Sequence, residues 1–140
     1  MSVKVDEEVQ RVYQGAMEAR KQSYSPYSNF AVGAAYSMAN TENISSGCNI
    51  ENASYGATVC AERVALWAAK AKDQNCKFNF LVIVTAEKKA TLPCALCLQV
   101  LAEFCSPDFV IYLANLKGVQ EKLLLKELLP KPFCAFKRDG

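Results

Sequence analysis

No histidine occurs anywhere in the 140 residues of this chain, and that absence removes more chemistry than any other feature of the composition. A Ser-His-Asp triad, a Cys-His nucleophile pair and the HExxH zinc motif are excluded together. Any metal must be held by thiolates or carboxylates, and a general base near neutral pH must be Glu, Asp, Lys or Tyr. Excess charge of one sign is also lacking. The 16 Lys and Arg against 14 Asp and Glu leave a net charge of +2, which provides no electrostatic footprint for a nucleic-acid backbone. Strongly apolar runs such as "FLVIV" are far too short to cross a bilayer, so no membrane partner is expected. The amino terminus, "MSVKVDEEVQ", lacks the apolar stretch of a secretory signal. The expectation is a soluble cytoplasmic protein.

Cysteine, by contrast, is plentiful: seven, an odd number. Without a secretory signal, a disulfide framework fits badly, and free thiols or metal ligands fit better. The length and the 51% apolar content suit one domain, residues 1–140, able to bury a core. Residues from about Asp6 to Gln22 have apolar side chains at helical spacing. The Ser- and Pro-rich loop "SYSPYSN" follows, then two strands, "FAVGAAYSM" and "NISSGCNI", joined as a hairpin near "ANTEN". The loop "ENASYGAT" leads to the helix "TVCAERVALWAAKA". A continuous apolar strand, "FNFLVIVTA", precedes a second helix, "CALCLQVLAEF". Two more strands, "FVIYLAN" and "GVQEKLLL", and a short helix, "LKELLP", complete the order. A helix followed by β-β-α-β-α-β-β predicts an α/β sandwich with helices on both faces of a sheet.

Three thiols stand at comparable places. Cys60 opens one predicted helix, and Cys94 and Cys97 open the other as "PCALC". Helix amino termini favour thiolates through their partial positive charge and unpaired N–H groups. If the two helices lie side by side, their ends would bring the three thiolates together. A fourth coordination position would then stay open, as in catalytic zinc sites. C-x-x-C alone also serves redox chemistry or half of a structural zinc site. Cys48, Cys76, Cys105 and Cys134 have no partner at ligand spacing and read as small core hydrophobes. Glu62 in the first turn is either a proton shuttle or an ordinary acid favoured by the helix dipole. Arg63 is either a surface residue or a counter-charge, because Zn²⁺ with three thiolates carries −1 and is a weakened Lewis acid.

With these residues in view, "CAE" and "PCALC" resemble the signature of the zinc nucleoside deaminases. The blocks "YSPYSNFAVGAA", "GCNIENASYGATVCAER", "PCALCLQVLAEF" and "ELLPKPF" are similar, in the same order, to the small homotetrameric cytidine deaminases with three cysteine ligands. The resemblance implies a three-layer α/β/α sandwich with a five-stranded mixed sheet. It implies one Zn²⁺ per chain, held by Cys60, Cys94 and Cys97, and hydrolysis of cytidine and 2′-deoxycytidine to uridine or 2′-deoxyuridine and ammonia. Glu62 would carry the protons, and Arg63 would hydrogen-bond the thiolates. Asn49 and Glu51 of "NIEN" would hold the ribose 3′-OH, with Phe30 and Ala61 beside the substrate. Tyr55 and Phe133 would come from neighbouring subunits of a homotetramer with composite sites. The chain departs from the family at Ala95, where Gly is usual, at Leu98, where Arg is usual, and at Cys134, where Gly is expected.

Overall fold

The structure, a computed structural model, describes residues 5–133; Cys134 and the tail after it lie outside the described residues. The first helix, α1, runs Glu7–Arg20. Asp6 caps it by accepting the Val9 N–H at 2.9 Å, and Glu7, Glu8 and Arg20 complement its dipole at the two ends. Its buried residues, Val9, Val12, Tyr13 and Ala16, follow the spacing of a single apolar stripe. Strands β1 (Gly33–Met38) and β2 (Ile44–Cys48) form the expected hairpin. After a single 3-10 turn at Tyr55–Ala57 come α2 (Ala61–Lys72), β3 (Phe78–Val84) and α3 (Ala95–Phe104). The chain continues through β4 (Val110–Asn115), β5 (Gly118–Leu124) and the one-turn α4 (Leu125–Leu128).

The five strands lie in the order β2-β1-β3-β4-β5, with β3 and β4 parallel and the other pairs antiparallel. β3 is buried on both faces, as its unbroken apolar run requires. Phe80, Val82 and Val84 face α1 together with Ala35, Ala114 and Val119. Leu81 and Ile83 face the other way, into a second core with Ala34, Tyr36, Ile111 and Leu113. That core also takes in Ala61, Ala65 and Leu66 of α2 and Leu98 and Leu101 of α3. The result is the expected three layers around a mixed sheet.

Two glycines permit this close packing. A Cβ on Gly33 would come 2.0 Å from the Ala16 carbonyl oxygen of α1, and one on Gly47 would come 2.8 Å from the Ala65 nitrogen of α2. The backbones of β1 and β2 therefore touch helices on opposite faces of the sheet. Register then places the site. Gly33 pairs with both Cys48 and Val84, so the start of β1 and the ends of β2 and β3 share one edge of the sheet. The segments leaving β2 and β3 lead into α2 and α3, which therefore begin at that same edge.

Candidate active site

Both helices open with a cysteine where a capping residue belongs. Cys60 is the N-cap of α2 and Cys94 the N-cap of α3, and neither side chain makes a capping hydrogen bond. Ser, Thr, Asp or Asn would stabilise these ends by about 1 kcal/mol more, so the thiols are not there for helix stability. Cys97 lies three residues further, buried in the first turn of α3.

The three sulfurs converge, all lying within 4.8 Å of one another. Cys60 Sγ is 3.7 Å from Cys94 Sγ, which is 3.5 Å from Cys97 Sγ. A tetrahedral zinc with bonds of about 2.3 Å needs sulfurs about 3.8 Å apart, so the donor set fits the ion. No further Cys, Asp or Glu joins the group among the described residues, which leaves one position of a tetrahedron for water or substrate.

The thiols share their charge unequally. The Cys60 thiol is held down to about 5, chiefly by a hydrogen bond from Cys97, with Arg63 and Cys94 helping and burial opposing. Cys97 is pushed up by that same bond and by burial. Arg63 Nη2 donates to Cys60 Sγ at 3.5 Å, and its guanidinium lies 5.6 Å from the Trp67 ring centre. Arg63 thus points at the sulfur group and is half-buried rather than fully solvated. Glu62 is 4% exposed. Burial pushes its carboxyl up and charge on Cys60 adds to this, while its own N–H, Cys97 and Arg63 oppose. An ordinary dipole-stabilising acid would sit in water, which Glu62 does not.

The segment after β2 is tied to both sides of the site. Ile50 exchanges backbone hydrogen bonds with Val59 at 2.9 and 3.0 Å, directly before Cys60. On the other side, Tyr24 N–H donates to the Asn49 carbonyl and Glu51 N–H to the Tyr24 carbonyl, at 3.1 and 2.8 Å. Asn49 and Glu51 both turn toward the loop before β1. Asn49 Oδ1 accepts from Val32 N–H at 2.9 Å and from the Ser23 hydroxyl, and its Nδ2 donates to the Phe30 carbonyl at 2.7 Å. Glu51 accepts from the Tyr27 and Ser28 N–H groups at 2.9 and 3.1 Å and from the Ser28 hydroxyl. These bonds, the Ser28 hydroxyl foremost and against slight desolvation, lower the Glu51 carboxyl below its usual range. Beside them, Tyr27, Ser28, Glu51, Tyr55 and Thr58 line a cavity of about 300 Å³. The larger depression, about 580 Å³, lies at the opposite end of β1 and β2 around Asn40, Lys72 and Cys76, away from every residue above.

Of the remaining expected residues, Phe30 is half-buried and Ala61 fully buried. Tyr55 and Phe133 are 74% and 68% exposed, and the Phe133 carbonyl accepts from Gln99 Nε2 of α3 at 2.9 Å. Ala95 is exposed, and Leu98 fills the core beneath α3. The expected strand at Phe30 begins only at Gly33, because the Asn49 amide captures residues 30 and 32 before the ladder starts. Sequence reasoning missed Ser28 as the partner of Glu51; a hydroxyl in a Ser-rich loop ahead of "NIEN" was the only signal.

Comparison with known proteins agrees with this geometry. The family described as the cytidine and deoxycytidylate deaminase zinc-binding region matches residues 6–113. A cytidine deaminase of Sporosarcina psychrophila is 42% identical over 126 residues, 90% of this chain and 91% of that protein. One from Halalkalibacterium halodurans is 43% identical, covering 90% of this chain and 94% of its own. The crystal structure of cytidine deaminase from Burkholderia pseudomallei superposes with a TM-score of 0.82 at 37% identity, covering 89% of this chain and 98% of that one. The chain belongs to the cytidine and deoxycytidylate deaminase zinc-binding family.

Proposed function

We infer that this chain is a zinc-dependent cytidine deaminase, a single catalytic domain that hydrolyses cytidine to uridine and ammonia. The observation that carries this reading is the sulfur triangle at two helix ends with the buried carboxyl of Glu62 beside it. Cys60, Cys94 and Cys97 would hold one zinc ion per chain. Bound there, zinc supplies a Lewis acid that makes water nucleophilic near neutral pH. Glu62 supplies the proton transfers. It accepts a proton from the water attacking C4 and donates it to ring N3. It then accepts the second proton from the new C4 hydroxyl and passes it to the amine, so that C4=O forms as the C4–N bond breaks and ammonia leaves. A dry position suits a carboxyl that must take up and release protons near neutral pH.

Asn49 and Glu51 hold the ribose 3′-OH in this reading, and nothing in that contact requires a 2′-OH, so 2′-deoxycytidine is a second substrate. Most of the Asn49 amide is committed to Val32, Ser23 and Phe30, which leaves one N–H for substrate. Phe30 stands beside the sugar, and Ala61 meets the substrate through its backbone, its methyl being in the core. The exposed aromatic rings of Tyr55 and Phe133 support a homotetramer in which each completes a neighbour's site. Free thiols throughout the described residues suit a reducing compartment, and we place the enzyme in the cytoplasm. No described helix is long and apolar enough to cross a membrane.

The test is a zinc assay beside the loss of ultraviolet absorbance when cytidine is incubated with the purified protein. About one zinc per chain and uridine as product support the reading. Activity confined to a single-stranded oligonucleotide would overturn it.

A further inference from the structure

Two neighbouring side chains of the sheet hold the first turns of α2 by its carbonyls. Tyr36 of β1 is fully buried, and its hydroxyl donates to the Glu62 carbonyl at 2.8 Å. Ser45 of β2 is its cross-strand partner, and the Ser45 hydroxyl donates to the Ala65 carbonyl at 2.7 Å. The two carbonyls are three residues apart, on one face of α2. Beneath them Gly47 lets the Ala65 nitrogen approach the strand more closely than any Cβ would allow. The Tyr36 ring is itself held against Phe78, the ring centres 4.8 Å apart and the planes tilted by 50°.

A helix tethered by two donors from adjacent strands can neither rotate about its axis nor slide along the sheet without breaking one of them. Glu62 follows the N-cap ligand Cys60 by two residues, whereas Cys97 belongs to α3. The placement of the carboxyl against the α3 ligands thus depends on how α2 is seated, and that seating is set from below. We propose that Tyr36, supported by Ser45, is a positioning residue for Glu62, fixing the axial setting of α2 so that the carboxyl meets the reacting atoms. The proposal rests on the reading of Glu62 as the proton carrier.

A matched control exists on the other face of the sheet. Tyr13 of α1 is buried, and its hydroxyl donates to the Asn115 carbonyl at the same 2.8 Å. Tyr13→Phe and Tyr36→Phe each delete one buried phenol–carbonyl bond, so both should lower the melting temperature similarly. Only Tyr36→Phe should lower kcat for cytidine, by roughly three- to tenfold, the rate equivalent of one neutral hydrogen bond. Its KM should stay within twofold of the parent's, and zinc should remain about one per chain. Tyr36→Phe with Ser45→Ala should lose more kcat than either alone. An unchanged kcat in Tyr36→Phe, a loss confined to KM, or an equal kcat loss in Tyr13→Phe overturns the proposal. Glu62→Gln separates the two levels. If that variant turns over normally, the proton-carrier reading fails and the proposal with it. If it is inactive while Tyr36→Phe is unimpaired, the positioning role alone fails.

Discussion

The Arg63 guanidinium reaches back three residues along α2 to donate to the sulfur of Cys60 at 3.5 Å. In a histidine-free site this contact carries an electrostatic consequence. Three thiolates overcompensate a divalent ion by one charge, and a cation donating to sulfur withdraws some of that excess. Arg63→Gln keeps a donor and removes the charge. It should release zinc to a chelator roughly tenfold faster and lower kcat, in line with losing a charged hydrogen bond. Unchanged zinc release and unchanged kcat together would show that Arg63 does no more than pack on Trp67.

Glu62→Gln separates proton transfer from metal binding. The amide fits the same buried space and ligates nothing, so zinc should stay near one per chain. Turnover should fall by several orders of magnitude, because the removed group is the one assigned to carry protons in the transition state. Stopped-time assays on metal-loaded protein, with zinc measured on the same sample, give both quantities. Wild-type turnover in the variant would contradict the assigned role.

What could be read from the chain alone was what is encoded locally. Cys60, Glu62 and Arg63 fall within four consecutive positions and Cys94 and Cys97 within another four, so each half of the group was visible locally. That the two halves meet was only conditional on adjacent helices, and the roles of Glu62 and Arg63 came from the family resemblance. Most strands were legible from their own apolar runs, whereas β2, Ile-Ser-Ser-Gly-Cys, was legible as the second arm of a hairpin with β1. The contacts of Asn49 were not, since its partners Phe30 and Val32 lie 19 and 17 residues away and any polar strand-end residue would have looked the same. Tyr36 was hidden differently. In "FAVGAAYSM" it reads as one more inward-facing aromatic, and only the register that sets it beside Ser45 under α2 gives its hydroxyl a purpose.

Gly47→Ala should destabilise the protein out of proportion to one methyl. The new Cβ would lie 2.8 Å from the Ala65 nitrogen, 3.0 Å from Val64 Cγ1 and 3.2 Å from the Ala61 carbonyl oxygen, two of them backbone atoms of α2. The helix must lift off β2, at a cost of about 1–3 kcal/mol, seen as a melting temperature lower by roughly 3–12 °C. Because α2 carries Cys60, zinc should also be retained less well. A variant as stable as the parent would mean that α2 accommodates the methyl without moving.

Ser28→Ala should change how the site responds to acid. Glu51 gathers the Tyr27 and Ser28 N–H groups and the Ser28 hydroxyl, and its carboxyl lies below the usual range chiefly because of that hydroxyl. A carboxyl with a lower pKa folded than unfolded binds fewer protons when folded. Its tie to the loop is therefore complete above the ordinary carboxylate range and is lost as pH falls through the depressed folded value. Removing the hydroxyl raises that value, so the tie should fail at a higher pH in Ser28→Ala than in the parent. Carbon-detected NMR of the Glu51 carboxyl reads the titration directly, independently of any protonation of the metal-binding thiols. The KM for cytidine should begin to rise at correspondingly higher pH, since the same carboxylate is assigned to the ribose. Superimposable Glu51 titrations in the two proteins would remove the Ser28 hydroxyl from this account and leave the two backbone N–H groups as the anchors of the loop.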